Sequence, residues 1–346
     1  LPHQNLSQKE IAEKLGISTS TVSLVLRDPE TNRASAQTKS RIFEHAPACR
    51  RRSIVNKLTT VLFAMRSIRD DGKRYSFQQN LLLGAQQQAA QMGWNLEVIN
   101  TRQDLLALGS VDHVKGVLLE SPHLIDEQII QLQHRLRMVT LHSWSLNDVV
   151  GIGIQDDMHR GMRQAIEHLH RHGHTRIGYI GFTQVPQYPD ARYSERAGAF
   201  LEVCRHMQVP LTEDAVQLLP SDFWLTMDGS DEIGQILRRW KQSPQSPTAV
   251  LCYNDLLAAR VLLISLSLGI RVPEHLSLIG YDDEPICQTL SPQLTSISPG
   301  FFQMGSLAVS SLADDALWKA KTEPCKIIVP SQLIDRQSVA HPFNPS

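Results

Sequence analysis

At 346 residues the chain is long enough for two or three domains with substantial cores. A net charge of −1 with a pI near 7.0 argues, taken alone, against a nucleic-acid binder. No run of about 18 apolar residues could span a bilayer, which excludes a membrane partner of the helical kind. Five cysteines in no CxxC spacing exclude a disulfide framework and point to a reducing compartment. With no apolar signal core at the start, the chain is expected to be soluble and cytoplasmic.

The charge is not evenly spread. Up to Leu58 there are ten Lys and Arg against five Asp and Glu, and beyond it twenty-four against thirty. A basic head on an acidic body is the layout of a nucleic-acid-binding module that carries a sensor. In that head, Ile11, Ala12, Leu15, Ile17, Val22, Val25 and Leu26 form two short apolar stripes at helical spacing. Gly16 between them tolerates the turn that ends one helix, and Ser18 is a natural cap for the next. Two helices this short and this tightly joined predict a helix-turn-helix. With Val22, Val25 and Leu26 inward, Ser20, Ser23, Leu24 and Arg27 face outward. Small hydroxyls permit close approach to a DNA groove, and a leucine can meet a thymine methyl. An ordinary surface helix would satisfy the same periodicity.

The stretch IAEKLGISTSTVSLVLR resembles the DNA-reading segment of the lactose/galactose repressor family, in which GVS-x-x-TVS-x-VL recurs. The resemblance implies that Thr19, Ser20 and Leu24 occupy the base-reading positions and that Thr21 and Ser23 contact phosphates, with Ser18 and Arg27 also counted in the DNA-binding surface. TVSLVL and CYN are also compatible with the maltose-regulon branch of the family. A third helix is expected from near Ser35 through TKSRIFEHA. There the chain departs from the pattern: Ala46 runs directly into Pro47, and about six residues of the family's helix end and Gly-Tyr-x-Pro-Asn turn are missing. PACRRRSIVNKL then aligns with the family's hinge helix. By that alignment Ile54 replaces the leucine that wedges into the minor groove. Arg50, Arg51 and Arg52 before it could each neutralise a phosphate, or could form a solvated basic linker.

From Thr59 onward apolar runs alternate with helical stretches. TVLFAM, NLEVIN, GVLLE, RMVTLH, RIGYIGF, TAVLCYN and LSLIGYD read as strands buried on both faces. FQQNLLLGAQQQAAQMG, DEQIIQLQHRL, GMRQAIEHLHRHG, AGAFLEVCRHM and DLLAARVLLISLSLG read as helices. This alternation predicts doubly wound parallel sheets, and the number of units exceeds one sheet. The expected fold class is α/β: an all-α headpiece followed by a periplasmic-binding-protein-like sensor of two Rossmann-like subdomains. The headpiece is assigned to residues 1–46, the hinge to 47–58 and the sensor to 59–346. Its first subdomain takes about 59–165 and 300–322, its second about 166–299 and 323–341. The HPFNPS tail lacks the leucine heptads of a tetramerising coiled coil.

Ligands of open parallel sheets bind beyond the carboxyl ends of strands. Asn254, Asp255, Asp282 and Asp283 fall there, and Asp255 is expected to cap the following helix. YSERAGAF, GHTRIGYIG and LSLIGYDD match further motifs of the same family, so the resemblance covers almost the whole chain. It implies that Arg196 and Asp282 are the central effector contacts, with Asn254 beside them and Trp224 stacking on the ligand. Phe77 and Tyr75 would close the other wall, and Arg66 would sit at the mouth of the first subdomain. A guanidinium donating to hydroxyl oxygens and a carboxylate accepting from hydroxyls suit a sugar or sugar phosphate.

His168 and His172 have metal spacing, but no cysteine or carboxylate nearby completes a set. Gly151 and Gly153 do not make a dinucleotide loop, and no GxSxG elbow occurs. No cofactor is expected, and no enzyme. The expectation is a homodimeric regulator, a repressor, reading a pseudo-palindromic double-stranded operator under control of a small effector. Its subunit contact should involve Leu81 to Gln91 and Phe301 to Leu317. The alternatives are a sugar-binding protein and a regulator that no longer grips DNA.

Overall fold

The computed structural model describes residues 7–27, 31, 33–45, 59–65, 76–99, 105, 113–120, 127–142, 151–183, 195–220, 230–320 and 325–343. The head is three helices, α1 (Gln8–Leu15), α2 (Thr19–Arg27) and α3 (Ala36–His45). Ser7 and Glu10 close a capping box on α1: the Glu10 amide donates to Ser7 Oγ at 3.3 Å and the Ser7 amide to Glu10 Oε2 at 2.7 Å. Gly16 ends the helix at φ 67°, a left-handed conformation that glycine adopts without penalty. Ser18 Oγ then accepts from the Thr21 amide at 3.1 Å, and Ser35 Oγ from the Thr38 amide at 3.1 Å. Each of the three helices thus has a hydroxyl at its start taking up a free amide. Ile11, Ala12, Val22, Val25, Ile42 and Phe43 form one buried core. The shortened α3 still seats two side chains in it.

The sensor begins with β1 (Thr60–Ala64), whose five residues are all buried, as a parallel strand covered on both faces requires. There follow α4 (Ser76–Gln91), β2 (Asn95–Ile99), β3 (Val114–Leu119), α5 (Glu127–Gln131), β4 (Arg137–Leu141) and β5 (Ile152–Asp156). The second half runs α6 (Met158–Arg171), β6 (Ile177–Phe182), α7 (Glu195–His206), β7 (Val216–Leu219), α8 (Ser230–Gln242) and β8 (Ala249–Cys252). It continues through α9 (Asp255–Ser267), β9 (Ser277–Tyr281), α10 (Ile286–Thr289) and β10 (Thr295–Ser298). Last come α11 (Phe301–Ala313), α12 (Asp315–Ala320), β11 (Cys325–Val329) and β12 (Gln332–Ile334).

The strands make two six-stranded sheets, in the orders β11-β5-β4-β3-β1-β2 and β12-β10-β9-β8-β6-β7. All pairings are parallel except that of β12 with β10. Residues 323–341 were expected wholly in the second subdomain, but β11 lies in the first sheet, with Cys325 opposite Ile152. The physical reason is edge closure: β11 takes up backbone groups along β5 that would otherwise be open. The α11 helix returns to the first half and crosses α4. Gly84 and Gly305 permit the approach, since a Cβ on Gly84 would strike the Phe302 carbonyl and one on Gly305 the Leu81 carbonyl. The expected helix over 126–136 is shorter, α5 passing into a 3-10 turn at Leu132–His134.

Candidate functional site: a reading helix and an interdomain cleft

Ser18, Thr19 and Ser20 are exposed at the start of α2, and Thr21, Ser23 and Leu24 are half-buried. Ser18 Oγ lies 2.8 Å from both Ser20 Oγ and Thr21 Oγ1, so these hydroxyls form one cluster at the helix start. Arg27 ends α2 in backbone. Its side chain, and all of Arg50, Arg51, Arg52 and Ile54, lie outside the described residues, as do Arg66, Tyr75 and Trp224.

The second candidate site is set by strand ends. Arg196, in the first turn of α7, is only 3% exposed. Its Nη2 donates to Asp282 Oδ1 at 2.6 Å and its Nη1 to Asp282 Oδ2 at 3.2 Å, a bidentate pair. Nη1 also donates to the Tyr253 carbonyl at 2.7 Å. The guanidinium lies over the rings of Tyr281 (4.0 Å) and Tyr253 (4.8 Å). Burial opposes the guanidinium charge, but Asp282 and the two tyrosines outweigh it and hold the pKa well above its ordinary value. Burial pushes the Asp282 carboxyl up to about 6 while Arg196 pulls it down.

Asp282 reaches this position through a strained turn. Its φ is 106° and that of Asp283 is 53°, both in the region that side chains avoid. Each such residue costs about 1–3 kcal/mol and persists only where its surroundings enforce it. Four bonds enforce it here. The Asp282 amide donates to the Ile297 carbonyl (2.8 Å), the Asp283 amide to Ser296 Oγ (3.2 Å) and Arg336 Nη2 to Asp283 Oδ1 (2.6 Å). The fourth runs from the Glu284 amide to Asp255 Oδ2 at 2.7 Å. Asp255 is fully buried and also accepts from Ser296 Oγ at 2.6 Å. Burial, helped by the charge of Asp282, raises its carboxyl to about 8.

The expectation that Asp255 caps α9 therefore fails. The cap is Asn254, whose Oδ1 accepts from the Leu257 amide at 2.9 Å, which leaves its amide nitrogen for another partner. Asp255, one residue later, instead secures the turn that presents Asp282.

The first subdomain supplies the facing wall. Phe77 on α4, His142 after β4 and Phe301 at the start of α11 form an aromatic cluster with centroids 5.3–5.6 Å apart. Burial, reinforced by the positive charge of Arg196, lowers the His142 imidazole to about 3, so it is neutral. Between the walls, the Tyr281 hydroxyl at the end of β9 donates to Asp156 Oδ2 at the end of β5. Burial is the main cause of the raised pKa of Asp156, and the Tyr281 bond and Arg196 oppose it. Asp156 Oδ1 and Arg196 Nε are both buried without a hydrogen-bond partner. A donor from one subdomain and an acceptor from the other are thus left open in one electrostatic neighbourhood.

Sequence reasoning missed His142, Asp156, Tyr253 and Tyr281. Strand ends were the only available signal, and IQD and GYDD do carry it.

A helix-turn-helix head joined to a paired-sheet sensor with a buried polar cleft is the build of a one-component transcriptional regulator. A model of the periplasmic binding protein-like domain matches residues 166–339, just over half of the chain. The HTH-type transcriptional repressor PurR of Aliivibrio salmonicida is 26% identical over 321 residues, 88% of this chain and 91% of that protein. The HTH-type transcriptional regulator DegA of Bacillus subtilis is 25% identical over 354 residues, 97% of this chain and 98% of its own. The repressor CytR of Escherichia coli is 26% identical, with 89% of each chain covered.

Among solved structures, the lac repressor dimer bound to operator and the anti-inducer ONPF superposes with a TM-score of 0.67 at 20% identity. It covers 97% of this chain and 100% of that one. The transcriptional regulator CelR in complex with cellobiose superposes at 0.62 and 21% identity over 96% and 99%. These two show the shared fold. The chain belongs to the lactose/galactose repressor (LacI/GalR) family, a family of transcription regulators and not of enzymes. Among the described residues no helix is long and apolar enough to cross a membrane.

Proposed function

We propose that the chain is a homodimeric repressor that reads a pseudo-palindromic operator and is controlled by a small polyhydroxylated effector in the cleft. The observation that carries the effector class is the open pair, Arg196 Nε–H and Asp156 Oδ1. A hydroxyl is a group that can accept from the first and donate to the second at once. Arg196 and Asp282 are the central contacts, and the amide of Asn254 and the ring of Phe77 flank them. Trp224, Tyr75 and Arg66 complete the pocket in this reading.

On the DNA side, residues 1–46 are the headpiece and 47–58 the hinge. Thr19, Ser20 and Leu24 meet bases, Thr21 and Ser23 meet phosphates, and Ser18 and Arg27 belong to the same DNA-facing surface. Arg50, Arg51 and Arg52 neutralise further phosphates beside the Ile54 wedge. The sensor starts at 59. The subunit contact uses α4 and α11, on which Leu83, Phe302 and Leu307 are exposed apolar side chains. Transcription control and the relatives' roles support a cytoplasmic location.

The test is fluorescence anisotropy on duplexes selected from a random pool. Affinity should fall steeply with salt, and replacing Arg50, Arg51 and Arg52 by alanine should flatten the salt slope by about 1 per residue. A salt-independent or absent signal would remove the DNA reading. A thermal-shift screen of sugars and sugar phosphates tests the cleft, which requires at least one ligand whose shift disappears in Arg196→Ala.

A further inference from the structure

The ends of β6, β8 and β9 opposite the cleft carry a second cavity. It has a volume of about 450 Å³, within the range of small-molecule sites. Its lining includes Arg176, Thr248 and Leu276, the residues just before those three strands, whereas the cleft lies just after them. At about 3.3 Å per residue, strands this long separate the two by roughly 13–20 Å.

The lining has an apolar and a polar part. Trp240, Pro244, Pro247, Ile270 and Phe343 give flat hydrophobic walls, and the Phe343 ring, 56% exposed, stands edge-on to His275 at 5.5 Å. Arg176 and Lys241 bring two full positive charges, and no lining residue is acidic. Each is anchored by one bond, Arg176 Nε to the Ser246 carbonyl (2.9 Å) and Lys241 Nζ to the Leu268 carbonyl (2.7 Å). A guanidinium has five N–H groups and an ammonium three, so donors remain on both. His275 Nδ1 accepts from the Arg271 amide at 3.1 Å, which puts its proton on Nε2 as another donor. The carboxyl ends of α8 and α9 also lie here, and each contributes about half a negative charge. Two cations outweigh them, leaving the cavity with net positive potential.

We infer that this cavity is a second small-molecule site, separate from the effector cleft, for an organic anion with a flat aromatic body. The walls take the ring, and Arg176, Lys241 and His275 take the acid group. Neither the DNA reading nor the sugar-like effector is needed for it.

The probe is 2-naphthoate, titrated into the full chain carrying labelled Leu and Ile methyls. Saturable shifts are expected at Leu237, Ile270 and Leu276, with the uncharged 2-naphthamide at least fivefold weaker. Lys241→Glu, a change at an exposed position, should weaken naphthoate at least fivefold while the remaining methyl spectrum stays in place. Shifts absent from these three residues would overturn the inference. So would equal binding of acid and amide, or an unchanged affinity in Lys241→Glu.

Discussion

The two halves of the sensor have the same plan and opposite chemistry. Both sheets place their first strand second from one end and run outward in the same order, β2-β1-β3-β4-β5-β11 beside β7-β6-β8-β9-β10-β12. At the carboxyl end of the first, the cleft wall is a neutral aromatic cluster of Phe77, His142 and Phe301. At the same end of the second it is a buried ion pair of Arg196 and Asp282, braced by the hydrogen bonds of Asp255. A repeated topology therefore fixes where a site lies and leaves its chemistry free. One half offers packed rings and the other directional bonds, with Tyr281 to Asp156 the polar link between them. That contrast is open to attack one residue at a time.

The largest effect is expected on the ionic side. Arg196→Ala strands the buried Asp282 carboxylate, and removing one partner of such a pair costs about 3–5 kcal/mol. Urea denaturation should show that loss. A change below 1 kcal/mol would mean that water already reaches the pair. Next is the link. Tyr281→Phe leaves Asp156 without its donor, a penalty of about 1–3 kcal/mol, and it should loosen one subdomain from the other. Small-angle scattering should report a larger radius of gyration for the variant; an unchanged one would show that other contacts hold the halves together.

The smallest effect is a pH signature. Asp255 ionises near 3.8 when unfolded and near 8 when folded, so the folded state holds a proton that the unfolded state has released. Stability from this group is therefore greatest on the acid side and declines as pH rises from about 4 to about 8. Asp255→Asn keeps an acceptor for the Glu284 amide and cannot ionise. Its Tm relative to the parent should climb between pH 6 and pH 8. A constant difference would show that the carboxyl is already ionised in the native protein.

The parts legible in the sequence were those governed by local pattern. Continuous apolar runs such as TVLFA became fully buried parallel strands, and GISTSTVSLVL became the two-helix turn because Gly16, Ser18 and the apolar spacing act within a few residues. Several elements escaped. Thr295–Ser298 is a strand without an apolar run, since its hydroxyls serve the Asp283 turn, Asp255 and the tail: Ser296 bonds the first two and Thr295 the Arg336 amide. Ile152–Asp156 is punctuated by Gly153 and ends in the acid that faces Tyr281. The helix Ser230–Gln242 did carry a signal, with Ile233, Ile236, Leu237 and Trp240 at helical spacing. In the cleft, Arg196 and Asp282 were recognisable from motif, and the structure pairs them directly.

The amino acids in order thus settled the class of fold and the reading head, because capping, periodicity and buried strand runs depend on neighbours within about one turn. They could not settle that Asp255 braces a turn while Asn254 does the capping, or that Asp156 meets a tyrosine 125 positions away. Those roles depend on which strand ends converge in space. Burial then decides which carboxyls keep their protons, and only the folded arrangement sets both.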